Sequence, residues 1–388
     1  MRAQSTPEGG PDPSQQRVRI GPLWLNPRVV LTNVGVDTNV FDVPESQNPQ
    51  KDFTATVTPM TDIWMRAGLS WFQFTVREDV VWYQQASSER SANSAYDMTW
   101  RAPIGRALVA ISPRYLSTRE RPGYEIDARV PRKEWGGTAK VEIRTLAGTF
   151  IAVNGSTQHV NFDAGDTFLG TNLHDELNRT SNIYGVEVRH QLTPLTSISG
   201  DVSHETDRFT FNPLRDANQT SVNGAIKFDP FALIKGSATI GYKDFAPLAT
   251  DLPAYRGLVS TVDVSYTLLG ATRFAFQVKR DISFSFDDAE PYYLQTGFNG
   301  SITQQIFGPF DAVVRGGVQH LGYRDRTDAV VAVEDRTDTV RSYGGGIGYH
   351  FGQDVRLGFN IDKQTRTSPV PEREYSGLRA GTSLTYGF

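Results

Sequence analysis

The chain has 388 residues, no cysteine, and a formal net charge of -4 from 39 basic and 43 acidic side chains. This near balance provides no basic field for a nucleic acid, and without cysteine the chain has neither a disulfide framework nor a Cys-ligated metal. No stretch approaches the roughly 18 uninterrupted apolar residues of a membrane helix, which excludes a helical membrane protein.

The N-terminal part opens with the polar, Pro-rich sequence MRAQSTPEGGPDPSQQ. Such a composition offers few apolar side chains for burial and favours a solvated chain. We therefore expect a flexible segment over residues 1–25 and one folded domain over residues 26–388.

Short turns divide the folded part into long stretches with period-two alternation of apolar and polar residues. Consecutive turns lie 37 to 46 residues apart, which leaves room for two long strands in each interval. Propeller and solenoid repeats have a similar period, but a propeller blade needs four short strands, whereas a β-hairpin of long strands needs two. The turns are centred on Gly68, Gly105, Gly148, Pro194, Ala232, Gly270, Gly308 and Gly352.

Longer polar connections alternate strictly with these turns. Examples are FDVPESQNPQKD near residue 45 and YRDRTDAVVAVEDRTD near residue 330. Eight short turns and nine long loops make 17 connections and hence 18 strands. The alternation is typical of an all-β, transmembrane, antiparallel up-and-down β-barrel with short periplasmic turns and long extracellular loops. An even number of strands places both termini on the periplasmic side.

The predicted strands separate apolar and polar residues onto two faces. In SWFQFTVREDVVWY, Phe72, Phe74 and Val76 share one face, while Arg77 and Asp79 share the other. A soluble β-sandwich has the same local period, but the strict alternation of short and long connections favours the barrel. Its apolar face would contact lipid and its polar face would line the lumen. Arg280 is an exception, because alternation places it on the apolar face.

The C-terminal sequence SGLRAGTSLTYGF alternates in the same way, and the barrel closes if this strand pairs with the first one, near PRVVLTNVGVDTNVF. LTYGF, with Tyr386 and Phe388, resembles the C-terminal signal that the barrel-assembly machinery recognises in Gram-negative outer-membrane proteins. Residues 34–59, with DTNVF, DF and TVTP, are similar to the opening hairpin of β-barrel porins associated with exopolysaccharide or capsule export. The resemblance implies an outer-membrane location in contact with lipid and lipopolysaccharide.

Eighteen strands at the usual spacing and tilt enclose a cylinder roughly 35 Å across, too wide for side chains to fill. We therefore predict an aqueous channel, narrowed by long loops near residues 117–133, 162–178 and 323–337. The charged lining has two interpretations: a basic track for anionic solutes, or a solvated wall whose charges pair across strands. The predicted solute path includes Arg77, Arg144, Arg189, Lys279, Arg315, Arg356, Arg379, Glu187 and Asp263.

No pattern indicates catalysis, a cofactor or a metal site. The six histidines are scattered without metal-ligand spacing, and no nucleophile, base and orienting group converge. The sequence therefore predicts a porin-like channel for hydrophilic solutes, with export of a polysaccharide as a more specific use. The alternative is a non-conducting barrel that anchors an envelope assembly through a protein partner.

Overall fold

The fold is known from a computed structural model that describes residues 18–229, 232–327, 329–331 and 333–387. The described chain is organised almost entirely as β-strands. In chain order they are β1 (Val18–Ile20), β2 (Leu23–Asp37), β3 (Asp52–Ala67), β4 (Ser70–Tyr83), β5 (Ser91–Ile104), β6 (Ala107–Glu120), β7 (Val130–Leu146), β8 (Thr149–Phe162), β9 (Thr167–Phe168), β10 (Thr171–Asn172), β11 (Arg179–Thr193), β12 (Thr196–Phe209), β13 (Ala217–Phe228), β14 (Ile234–Pro247), β15 (Tyr255–Leu268), β16 (Thr272–Phe284), β17 (Tyr292–Phe307), β18 (Phe310–Arg324), β19 (Thr337–Phe351), β20 (Val355–Thr367) and β21 (Tyr375–Tyr386).

Within the described chain, helical structure is limited to short pieces in the connections between strands. Among the described residues, no helix is long and apolar enough to cross a membrane. The pieces are the α-helix α1 (Leu173–Leu177) and four 3₁₀ turns at Glu45–Gln47, Ser87–Glu89, Pro213–Arg215 and Pro371–Arg373.

The 18 long strands, β2–β8 and β11–β21, form one closed antiparallel barrel. Every strand pairs with its sequence neighbours, and β2 also pairs with β21, from Val29 opposite Tyr386 to Asp37 opposite Arg379. This seam leaves no open edge, as a wall surrounded by lipid requires. The predicted barrel, its 18 strands and its pairing of first and last strands are confirmed.

The connections divide the barrel into two ends, named here the turn end and the loop end. All eight short connections lie at the predicted markers, and the nine longer ones are at the opposite end. Gly105 (φ 61°) and Gly308 (φ 52°) show why glycine marks the turns, since this left-handed backbone is costly for residues with a Cβ.

The N-terminal part differs from the expectation at its inner boundary. Residues 1–17 lie outside the described residues, but β1 folds back onto the start of β2, with Arg19 opposite Trp24. Trp24 in turn lies opposite Trp64 of β3. The sheet therefore begins before residue 26. The pairing of β2 with β21 ends at Val29, and the backbone groups of residues 23–25 pair with β1 instead.

The outward face of the wall is apolar, as predicted. On β11, Tyr184, Val186 and Val188 point outward and are 63%, 50% and 49% exposed, while the intervening Glu187 and Arg189 point into the lumen. Outward aromatic rings collect at the turn end, where Phe310 packs edge-on against Tyr349 at a centroid distance of 5.0 Å. Such rings are characteristic of a membrane interface.

Buried apolar side chains concentrate inside the loop end. Ile126, from the connection between β6 and β7, packs against Leu173 and Leu177 of α1 and against Phe286. Tyr124 packs against a second cluster on β17–β19. The hydrophobic core of this barrel therefore lies between its loops.

Candidate solute path

The nine residues predicted to line the solute path all lie on the inner face of the wall. Six are held in ion pairs with side chains of the same or nearby strands. These pairs, with the distance between the nitrogen and oxygen atoms, are Arg77–Asp79 (3.1 Å), Glu187–Lys140 (2.5 Å), Arg189–Glu142 (2.6 Å), Arg315–Asp362 (2.5 Å), Arg356–Asp311 (2.6 Å) and Arg379–Asp37 (2.7 Å). This pairing favours a solvated, largely neutralised wall over a continuous basic track.

The other three predicted residues have different surroundings. Asp263 accepts a hydrogen bond from Gln277 at 3.1 Å, and Arg144 lies beside Phe150 in a groove at the turn end. Within the described part of the chain, neither Arg144 nor Lys279 has a carboxylate within 4.0 Å. These two cations are therefore the predicted path residues whose charge is not compensated by a direct contact.

One loop crosses the lumen at the loop end. Residues 121–129, named here the crossing loop, connect β6 and β7, the fifth and sixth strands of the 18-strand ring. Its Tyr124 packs against Tyr293 and Tyr323 on β17 and β18, which are the fourteenth and fifteenth strands. Because these strands lie opposite each other in the ring, the loop spans the barrel from wall to wall.

Two arginines, Arg366 and Arg373, hold the middle of the crossing loop and are named here the arginine latch. Arg366 of β20 is fully buried and donates to the carbonyl oxygens of Tyr124 and Glu125, both at 3.0 Å. It also pairs with Asp127 at 3.0 Å. Arg373 donates to the carbonyl oxygen of Glu125 and lies 3.4 Å from Asp127.

The carboxyl group of Glu125 lies in the same buried region. It accepts hydrogen bonds from Ser285 Oγ at 2.5 Å and from the backbone N–H of Phe286 at 3.2 Å. Burial raises the pKa of Glu125 to about 7, although the Ser285 hydrogen bond and the positive charge of Arg373 act in the opposite direction. Burial likewise raises the pKa of Asp127, against the attraction of Arg366.

The two stems of the crossing loop are also fixed. Arg121 forms an ion pair with Asp42 at 3.0 Å and donates to the carbonyl oxygen of Val40 at 2.8 Å. The buried Arg129 pairs with Glu120 at 2.9 Å. Both ends and the middle of the loop therefore have polar partners, which confirms the prediction that this connection folds into the lumen.

Of the other two loops expected to fold inward, one packs against the crossing loop and one is tied to the connection after β16. The connection at 163–178 contributes the buried Leu173 and Leu177. The connection at 325–336 contributes Arg336, which pairs with Glu290 at 2.5 Å, although residues 328 and 332 lie outside the described part.

Two adjoining cavities of about 560 Å³ each lie beneath the crossing loop, and together they are named here the chamber. The first is bordered by Arg121 and Arg129 of the loop, and the second by Tyr124. Both cavities are lined by Asn33, Asp37, Arg315, Asp362 and Arg379. The ion pairs Arg315–Asp362 and Arg379–Asp37 therefore lie where the two cavities meet.

Sequence reasoning missed the residues that hold the crossing loop, namely Glu125 and the arginine latch. Arg366 is 241 residues from Glu125, and Ser285 is 160 residues from it. No local spacing signals such contacts, because they arise only when loops from distant hairpins meet. The one available signal was the length and charge of the loops themselves.

At the C-terminus, Tyr386 ends β21, pairs with both Val29 and Val355, and points outward with 57% of its surface exposed. Phe388, the other residue of the predicted assembly signal, lies outside the described residues. Within the described part, no group of three or more His, Asp or Glu side chains is placed to hold a metal ion.

A family model described as "Putative beta-barrel porin 2" matches residues 12–388. The chain belongs to this porin family. No curated protein matches it. The porin fold indicates the outer membrane of Gram-negative bacteria.

Solved outer-membrane proteins are similar to this chain at low sequence identity. A BenF-like porin from Pseudomonas fluorescens Pf-5 is similar with a TM-score of 0.50 and 9% identity over 95% of this porin and 98% of that chain. The outer membrane protein opdK from Pseudomonas aeruginosa has a TM-score of 0.49 and 10% identity, over 93% of this porin and 98% of that chain. OccK9 (OpdG) from the same species has a TM-score of 0.49 and 12% identity, over 93% of this porin and 97% of that chain.

Proposed function

We propose that this porin is a passive channel for small hydrophilic solutes, with the turn end in the periplasm and the loop end outside the cell. The chamber is the observation that carries the proposal. A water-accessible space lined by Asp37, Arg315, Asp362 and Arg379 lies inside a wall that is apolar on its outer face. Such a lining replaces the hydration shell of a polar solute with charged and hydrogen-bonding groups.

The connections support this orientation. Outer-membrane barrels have short periplasmic turns and longer extracellular loops, so both chain ends of this barrel would face the periplasm. The crossing loop would then form the outer constriction of the channel. Solutes would pass around it, and no step of bond making or breaking is part of the proposal.

Export of a polysaccharide is a more demanding form of the same function. A polymer would have to thread past the crossing loop, whose middle is held by the arginine latch and whose stems are held by Asp42 and Glu120. We therefore propose small solutes as the usual cargo. Polymer passage would require the loop to leave the lumen.

A second function has one observation in its favour. The crossing loop is fixed by a latch arginine that has no exposed side-chain surface, and a barrel obstructed by its own loops would serve as an anchor for an envelope assembly. A protein partner would then bind the loops or the N-terminal segment. The two functions make opposite predictions for ion flow.

The deciding experiment is reconstitution of the purified barrel in planar bilayers and in liposomes. We expect stepwise conductance, and swelling of liposomes in disaccharide but not in a long dextran. A correctly folded barrel that gives no conductance steps would contradict the channel and support the anchor. Swelling in dextran as well would support polymer passage and contradict the restriction by the crossing loop.

A further inference from the structure

Uncompensated positive charges lie on the outward face of the wall near the loop end. On β17–β21 the outward positions carry Arg324, Arg341 and Lys363 as their only permanently charged side chains, together with His320. All residues of these five strands are described, and none of their outward positions holds Asp or Glu. The lumen differs, since most of its predicted charges are paired.

The outward direction of these side chains follows from their neighbours. Lys363 lies between Asp362, which pairs with Arg315 in the lumen, and Gln364, which bonds to the inward Tyr375. Arg341 follows the buried Val340. Alternation along a strand therefore places the side chains of Lys363 and Arg341 on the membrane-facing surface. Lys363 also borders the second cavity of the chamber, as does Tyr343, which alternation likewise places on the outer face and which is 53% exposed.

His320 shares this surface, because it is flanked by Gln319 and Leu321, which are 4% and 0% exposed inside the barrel. Its ring Nδ1 lies 3.0 Å from Thr339 Oγ1, a hydroxyl on the next strand. The imidazole therefore has one ring nitrogen engaged by the neighbouring strand.

Three of these groups form one cluster, named here the outer basic site: His320, Arg341 and Lys363. Arg341 is opposite Thr365, two residues from Lys363, and His320 is opposite Thr339, two residues from Arg341. Such diagonal neighbours have backbones about 7–8 Å apart. Each member also lies four residues from the loop-side limit of its strand, at Arg324, Thr337 and Thr367, so the cluster lies at one level of the barrel.

This level is the border of the apolar band. On β20, the next outward residues from Lys363 toward the turn end are Ile361 and Phe359, and both are about 45% exposed on the outer surface. Cations in contact with hydrocarbon are costly, and within the described residues the side chain of Arg341 donates only one weak hydrogen bond, of 3.4 Å, to Thr367 Oγ1. A ligand with negative charge at the level of the lipid headgroups would compensate these cations.

We propose that the outer basic site binds the phosphate groups of lipid A, the membrane anchor of lipopolysaccharide. The inference rests on the proposed orientation, which places the loop end in the outer leaflet, where lipopolysaccharide is the anionic lipid. Arg341 supplies a planar donor suited to a phosphate and Lys363 a point charge. The acyl chains would lie against Ile361 and Phe359 below.

The first test needs no variant. Native mass spectrometry of the purified barrel in detergent would count bound molecules of lipid A, enzymatically dephosphorylated lipid A and phosphatidylglycerol. We expect at least tenfold preference for phosphorylated lipid A over the dephosphorylated form and over phosphatidylglycerol. Equal binding of both lipid A forms would overturn the proposal. Equal binding of phosphatidylglycerol would also contradict it, because it would show that the site attracts anionic lipids in general.

The second test uses the double variant Arg341→Gln with Lys363→Gln. We expect tenfold or greater loss of lipid A binding with the barrel still folded, because neither side chain has a carboxylate within 4.0 Å in the described part. The matched control is Lys279→Gln, which removes the same charge from the inner face. Unchanged binding by the double variant, or equal loss in the control, would contradict the site. A barrel that binds lipid A but gives no conductance would refute only the channel.

Discussion

Ser285 donates a hydrogen bond of 2.5 Å to Glu125, which joins the connection after β16 to a loop that begins on the opposite wall. Burial raises the pKa of Glu125 from 4.5 to about 7. An acid whose pKa is higher in the packed state binds its proton more tightly there. The Glu125 carboxyl therefore contributes most to the stability of the packed crossing loop below about pH 4.5, and this contribution is lost as the pH rises through about 7.

We expect single-channel conductance of the wild type to rise between pH 5 and pH 8 as the crossing loop loosens. Glu125→Gln mimics the protonated carboxyl and should keep at pH 8 the lower conductance of the wild type at pH 5. The control is Glu45→Gln in an exposed loop position, which should retain the wild-type pH dependence. Conductance that is independent of pH in the wild type would contradict this role of Glu125.

Arg366 should be the residue on which the packing of the loop end depends most. It pairs with Asp127 and Asp338 while fully buried, so Arg366→Gln removes a cation that two buried carboxylates share and leaves them only their second partners, Arg373 and Arg336. We expect the variant to lose about 3–5 kcal/mol of unfolding free energy. Urea titration followed by tryptophan fluorescence in lipid vesicles measures this loss, and limited proteolysis should cut the crossing loop faster.

The comparison for Arg366 is Arg256→Gln. Arg256 forms an ion pair with Asp244 at 3.1 Å but is 70% exposed, and exposed pairs contribute about 0–1 kcal/mol. A loss of similar size in both variants would show that the arginine latch has no special role.

Lys279 and Lys363 should separate the functions of the two faces of the wall. Lys279 faces the lumen without a carboxylate partner in the described part, so Lys279→Glu should shift the reversal potential in a salt gradient toward cations. Lys363→Glu makes the same charge change on the outer face and should leave the reversal potential unchanged. Equal shifts in both variants would contradict the assignment of faces.

Gly35 should be essential for the seam between β2 and β21. A Cβ at this position would lie 2.0 Å from the carbonyl oxygen of Ala380, a backbone atom that cannot move without breaking the pairing. We expect Gly35→Ala to yield little folded barrel, measured as the heat-modifiable band in gel electrophoresis. Gly224→Ala is the control, because its Cβ would meet only Ile240 O at 4.0 Å. Normal assembly of both variants would contradict the seam.

Much of the barrel could be predicted from the sequence because its signals are local. Markers such as Gly68 and Gly352 lie in the observed turns, and alternation assigned Arg315 and Asp263 to the lumen. Arg280, the predicted exception, lies on the apolar face and donates a hydrogen bond of 2.8 Å to Thr296 Oγ1. A hydroxyl on the neighbouring strand therefore stabilises this cation among apolar side chains.

The crossing loop could not be predicted to the same depth. Its contacts depend on which loops meet above the lumen, and Glu125 receives partners from three other connections or strands. Loop length indicates that a segment can reach inward, but only the assembled barrel determines where it stops. The outer basic site was likewise hidden, because Arg341 and Lys363 become neighbours only through the register of β19 and β20.

The pairing of Val29 with Tyr386 also imposes an order on biogenesis, since 357 residues separate the two partners. At usual translation rates roughly 20–70 s pass between their synthesis. During that interval β2 has an unsatisfied edge that can join a neighbouring polypeptide and aggregate. The seam can therefore close only after the final strand has been made, and the ring forms in a single late event.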